Sequence, residues 1–239
     1  MKDLILGVLK AIPGYIITLW RIIATPRVYV FGQVMGSNSK EQTLGHALTT
    51  LALSTLATLL MTNGSHQLPS KYTIVMALLF RSIEVFGVAI ILWLSWRTFS
   101  RPPSFEDFAI AFAYLFSPAL LAFVGLDIIE DGGLRLIDQS LFAQLSQSGP
   151  FWKDVYLHSV FDGSDEQLSQ AFHSQFFLWM AAMLFIRVTF QFVWGIIAWS
   201  ILTRIVQASW LRAIGAALLA CFLSALGGGI LFLIQMGLG

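Results

Sequence analysis

The chain has 239 residues, 57% of them hydrophobic and 11% charged, with a formal net charge of +1 and a mean hydropathy of +0.77. Soluble domains carry roughly 25% charged residues, so this composition excludes a water-soluble globule, and a charge so near zero gives no footing for a nucleic-acid partner. The single cysteine, Cys221, excludes an intramolecular disulfide.

Residues 1–42 are expected to form a cytoplasmic segment built on a helix. Asp3, Gly7, Lys10, Gly14, Thr18, Arg21 and Thr25 recur at spacings of three and four and draw one narrow polar stripe, with Leu4, Ile5, Val8, Ile12, Ile16 and Trp20 on the other faces. That pattern predicts an amphipathic helix lying in the membrane interface, kinked or divided at Pro13. The alternative is a further span, which would put the N-terminus outside. Lys10 interrupts the apolar run and no small-x-small pattern follows, which argues against a cleaved signal peptide.

Five windows then read as spans, at 43–62, 73–96, 108–129, 176–201 and 211–235, each near or above the ~20 residues a helix needs to cross a bilayer. The expected fold is therefore all-α, a polytopic transmembrane bundle of five helices over residues 43–239. Lys2, Lys10, Arg21, Arg27, Lys40, Arg97, Arg101, Arg204 and Arg212 fall on one side, against Lys71, Arg135 and Lys153 on the other. The excess of basic residues places the N-terminus in the cytoplasm and the C-terminus outside.

An extracytoplasmic loop is expected at about 130–173. Leu134, Ile137, Leu141 and Leu145 have helical spacing within it and predict a short amphipathic helix capping the bundle. Asn63-Gly-Ser is a formal glycosylation sequon on the same side. His158, Asp162, Asp165, Glu166 and His173 match no tight metal-ligand spacing, so no metal is assigned.

Inside the spans lie three charged side chains, Arg81, Glu84 and Arg187. An arginine at bilayer depth costs about 2.5–3.5 kcal/mol on insertion scales, so such groups face a bundle interior or a cavity. At ~1.5 Å per residue the three reach similar depths. Glu84 could serve either arginine, and Arg187 has no acid on its own helix. With Gln191, Ser54 and Ser117 they define an expected intramembrane polar network, beside a stripe of His46, Thr50, Ser54 and Thr58. A second seam of small residues, Ala216, Ala220, Ser224 and Gly228, suits close helix packing. Three readings of the polar layer stay open: a structural network, a site for a substrate, ion or lipid headgroup, and proton or catalytic chemistry.

Standard chemistry finds little support. Gly227-Gly228-Gly229 lacks the Lys-Ser/Thr of a phosphate loop, and no Gly-x-Ser-x-Gly, Cys-x-x-Cys or His-Glu-x-x-His occurs. No catalytic residue and no cofactor is assigned.

The segment Arg101-Pro-Pro-Ser-Phe-Glu-Asp-Phe-Ala-Ile-Ala-Phe-Ala-Tyr-Leu-Phe-Ser-Pro-Ala-Leu-Leu resembles the Yip (Ypt/Rab-interacting) family of five-span membrane proteins, whose third span has a similar polar start and an aromatic-x-x-x-Pro element, here Tyr114 to Pro118. Ser104 and Asp107 are spaced to cap that span. The layout over residues 22–236 is also similar, including Thr25-Pro26-Arg27 before the first span and a small-residue last helix. The short N-terminal segment, without the Asp-Leu-Tyr-Gly-Pro element of eukaryotic members, looks like the compact bacterial branch. The resemblance implies a fold and no established activity, and GTPase binding is not carried over to this chain. A non-enzymatic scaffold or accessory subunit is expected, with the lipid bilayer and other membrane-protein subunits or itself as partners. The alternative is a small permease or channel with a mid-membrane polar site.

Overall fold

A computed structural model describes the backbone of residues 2–36, 39–63, 69–100, 103–147 and 174–237, with isolated positions at 153, 156 and 160, and the side chains within those ranges from Ile12 to Leu226, Asn63 excepted. The described residues form eight helices: α1 (Lys2–Ala24), α2 (Pro26–Met35), α3 (Lys40–Asn63), α4 (Lys71–Phe99), α5 (Phe105–Ile137), α6 (Gln139–Ser146), α7 (Gln175–Val206) and α8 (Trp210–Gly237). Four stretches are long and apolar enough to cross a membrane: Lys40–Thr62, Lys71–Phe99, Phe105–Ile137 and Gln175–Val206. By that measure the chain is an all-α integral membrane protein. The fifth expected span falls in α8, whose side chains beyond Leu226 lie outside the described residues, as do Gly228 and the Gly227-Gly228-Gly229 run. The Asn63-Gly-Ser sequon and the His158 to His173 group also lie outside them.

The chain divides into two compact units, Met1–Leu121 with Trp194–Gly239, and Ala122–Val193. In the first unit the initial half of α5 is the centre. Phe108, Ala109, Ile110, Ala111, Ala113, Tyr114 and Leu115 are all buried, the signature of a helix enclosed on every face. Its alanines let neighbouring backbones approach. Tyr114 is fully buried; its hydroxyl meets His46 Nδ1 of α3 at 2.6 Å, and its ring packs edge-on to Tyr29 of α2, 5.8 Å between centroids. One residue of the expected motif thus ties three helices. The helix continues through Pro118. Near this proline the Leu115 carbonyl accepts the Trp194 indole N–H at 3.0 Å, and Ser117 Oγ donates to the Ala113 carbonyl at 2.7 Å.

Local chemistry explains the ends. Ser70 caps α4, its hydroxyl accepting from Thr73 N–H at 3.1 Å. At the start of α5 the Asp107 carboxylate accepts from both the N–H and the hydroxyl of Ser104, at 3.0 and 2.9 Å, and pairs with Lys40 of α3. The expected capping is therefore present, with a cation added. Gln207 ends α7 in the left-handed region at φ 53°, and the Ala208 N–H reaches back to the Thr203 carbonyl at 3.3 Å, the six-to-one bond of a Schellman ending. In the small-residue seam, Ala216 and Ala220 are buried and Ser224 is exposed, while α8 packs chiefly on α4. A Cβ at Gly215 would lie 2.7 Å from the Phe99 ring, so this glycine sets how closely the two helices meet.

In the N-terminal region Pro13 lies inside α1, which is not divided there, and residues 26–35 form a separate helix, α2, where none was predicted. Pro26 explains the break: without an N–H it cannot extend the α1 ladder, yet it suits the first turn of a new helix. α1 also packs beside α3. Tyr15 Oη bonds Ser54 Oγ at 2.9 Å, and Ser54 is about 21 Å along α3 from Lys40. Thr18 of the supposed water-facing stripe is buried, whereas Ile16, Ile17, Trp20 and Ile23 are exposed. α1 runs up the side of α3 with apolar side chains outward; the side chains of Asp3, Gly7 and Lys10 lie outside the described residues.

Candidate functional site: two charge clusters

The third span does not stop at Ile129. A loop was expected from about residue 130, but α5 continues to Ile137 because its charges are answered. Asp127, Glu130 and Asp131 stand at i, i+3 and i+4, one face of a helix, and that face meets Arg187 of α7. Arg187 Nη2 donates to Asp127 Oδ1 and to Glu130 Oε2, the latter at 2.7 Å. Lys153 adds a second cation, 3.1 Å from Glu130 and 2.8 Å from Asp131. Glu130 is buried; Asp127 is about half exposed. All five groups belong to the second unit. Three carboxylates against two cations give a formal net charge of −1.

Gly133 has a packing role here. The Trp179 ring lies directly against Gly133, where a Cβ would fall inside the ring's van der Waals envelope. From that position Trp179 donates its indole N–H to the Glu130 carbonyl at 3.1 Å. Below the cluster Leu134, Phe142, Phe176 and Met180 form a small apolar core. The expected capping helix is α6, which starts at Gln139 and buries Phe142, while Leu134 and Ile137 end α5. Asp138 caps α6. The Leu141 N–H and the Ser140 hydroxyl hold its carboxyl below the usual value, since both bonds favour the ionised form. Burial pushes Tyr156 up, opposed by a hydrogen bond with Ser174.

Arg81 and Glu84 form a separate pair in the first unit. Their atoms approach to 2.5 Å at i, i+3 on α4, with side chains 38% and 42% exposed, and the Arg81 guanidinium stands 5.9 Å from the centre of the Phe116 ring. A cavity of about 200 Å³ beside Arg81 is lined by Leu48, Leu51, Ala52, Thr55, Leu78 and Ser82.

Each of the six residues of the expected network is described within its own unit. Arg81 and Glu84 neutralise each other; Arg187 pairs with Asp127 and Glu130; Ser54 bonds Tyr15; Ser117 bonds its own helix; Gln191 is exposed. Of the threonine stripe, Thr50 and Thr58 are buried and donate to carbonyls of α3. The expectation that two arginines share one carboxylate missed Asp127, which sits inside the predicted third window. The signal was available: Asp127, Glu130 and Leu134 fall at i, i+3 and i+7, so the apolar face of α5 runs straight through the acids. Among the described residues no three metal-binding side chains converge. Compared with known proteins, the chain matches no protein-family model, no curated protein and no solved structure.

Proposed function

We propose that the chain is a non-enzymatic membrane protein of Yip type, resident in a bacterial inner membrane with its basic helix ends in the cytoplasm, that acts as a scaffold or accessory subunit by lateral association through α4. The observation that carries this reading is the Arg81–Glu84 pair. It lies near the middle of α4, on a helix whose Val75, Leu79, Phe80, Ile83 and Ile90 are exposed, and a charged pair turned toward hydrocarbon needs a polar partner. A second copy supplies one. Around a twofold axis along the bilayer normal, Arg81 of each copy is offset by about 4.5 Å from Glu84 of the other, so two internal pairs become a closed square of four charges.

The test uses a cysteine at Ile83 in a Cys221→Ala background, with disulfide formation between copies read in membranes. The parent should crosslink, R81E and E84R should each lose it, and the two chains expressed together should recover it because their charges are complementary. Crosslinking indifferent to all three changes would sink the proposal. The rival reading is a small permease, favoured by the cavity beside Arg81; there Arg81→Gln would abolish flux while self-association persisted.

In this reading α3, α4, α5, α7 and α8 are the five spans, and α1 enters the bilayer beside α3 as a further membrane segment. The Tyr15–Ser54 bond supports that assignment. Cysteines placed at Lys2 and at Arg212 should then react with an impermeant maleimide from opposite sides of the membrane. Labelling from the same side would return α1 to the surface.

A further inference from the structure

The first unit carries a second feature, independent of the α4 pair, where α2 meets α7. Arg27 Nε donates to Ser200 Oγ at 3.0 Å. One turn further along both helices, the Arg204 guanidinium stands 5.9 Å from the centre of the Phe31 ring. Arg27 to Phe31 and Ser200 to Arg204 are each a step of four residues, so the helices run in register and set two guanidinium groups across one seam, about 6 Å apart along it.

Each arginine is oriented by a neutral group. Ser200 Oγ gives its own proton to the Ile197 carbonyl at 2.7 Å, so it can only accept from Arg27, which fixes the guanidinium through Nε and leaves both Nη groups available. The Phe31 ring lies beside the Arg204 guanidinium and takes up none of its N–H groups in a hydrogen bond with a carboxylate. Both arginines are exposed, and neither pairs with a carboxylate among the described residues. This is unlike Lys40, Arg81, Lys153 and Arg187, each of which has an acid. Trp20 of α1 and Trp210 at the start of α8 are both 69% exposed, and Arg21 and Arg212 are near them in sequence. Exposed tryptophan with arginine is the composition of a membrane–water boundary.

We infer that Arg27 and Arg204 form a phosphate-binding fork for the headgroup of an anionic phospholipid. Two guanidinium edges suit a phosphate, whose oxygens accept several N–H bonds at once, and a basic notch between membrane helices at headgroup level is where such a lipid docks. The four-residue register holds the fork open in advance, so little side-chain freedom is lost on binding.

The test measures lipid retained by the delipidated full chain after exposure to phosphatidylglycerol or phosphatidylcholine vesicles, read by native mass spectrometry, with inorganic phosphate as competitor. The parent chain should retain phosphatidylglycerol selectively, and R27Q/R204Q should weaken that retention by about thirtyfold, two surface arginines' worth. Ser200→Ala, which releases Arg27 without removing charge, should weaken it partway; it also guards against a double variant that fails to fold. Equal retention by parent and R27Q/R204Q would overturn the inference. So would displacement of the lipid by millimolar inorganic phosphate, which would make the fork a site for the free anion.

Discussion

Glu130→Ala should destabilise the protein by about 3–5 kcal/mol, the scale on which removing one member of a buried ion pair is felt. Glu130 is the buried member of its cluster and the acceptor shared by Arg187 and Lys153. Without it Asp127 remains for Arg187, but that carboxylate is half in solvent, and Lys153 keeps Asp131 alone. Thermal unfolding in mild detergent measures the loss. Glu130→Gln should recover part of it, because an amide still accepts a hydrogen bond though it no longer balances charge. Asp127→Asn should cost much less, since exposed ion pairs contribute about 0–1 kcal/mol. If Asp127 proved the more sensitive position, the buried arm of the cluster would not be what holds α5 to α7.

The second large effect is expected at Gly133, where two rules oppose each other. Alanine in place of a helical glycine ordinarily gains about 1 kcal/mol. Here the added methyl group would push into the Trp179 ring. Overpacking of that kind costs about 1–3 kcal/mol, and displacing the ring also breaks its bond to the Glu130 carbonyl, worth about 0.5–1.5 kcal/mol. The costs exceed the gain, so Gly133→Ala should destabilise by about 1–3 kcal/mol in the same unfolding experiment. Gly132, with nothing near its missing Cβ, should show the opposite sign. A stabilised Gly133→Ala would mean that Trp179 moves away freely.

These two residues also show where the sequence was readable and where it was not. Long apolar runs dictated the helices: predicted windows at 43–62 and 73–96 became Lys40–Asn63 and Lys71–Phe99, because only a helix satisfies backbone groups in hydrocarbon without help from neighbours. Local capping was equally visible, since Ser104 and Asp107 lie three residues apart and need nothing distant. Charge partners were not visible. Glu130 fell at the onset of the expected loop because its counterion, Arg187, is 57 residues away, and a helical pattern carries no record of which helix will face it. Asp127, inside the third window, has the same distant partner, 60 residues on. The role of Gly133 depends in the same way on Trp179. The neighbour of α1 was not visible either: Tyr15 meets Ser54 of α3, and a hydrophobic-moment argument does not identify such a partner.

The separation of Arg187 from its acids also bears on how the chain is made. Ribosomes deliver α5 well before α7, so Asp127 and Glu130 are already in the membrane when Arg187 leaves the insertion machinery. The order is favourable for the arginine, which meets its countercharges on arrival and never has to wait among lipids alone. For the carboxylates it is the reverse. A chain that stops after the sixth helix would hold Asp127 and Glu130 at the end of α5 without Arg187, its carboxylates deprived of the cation that answers them in the finished protein.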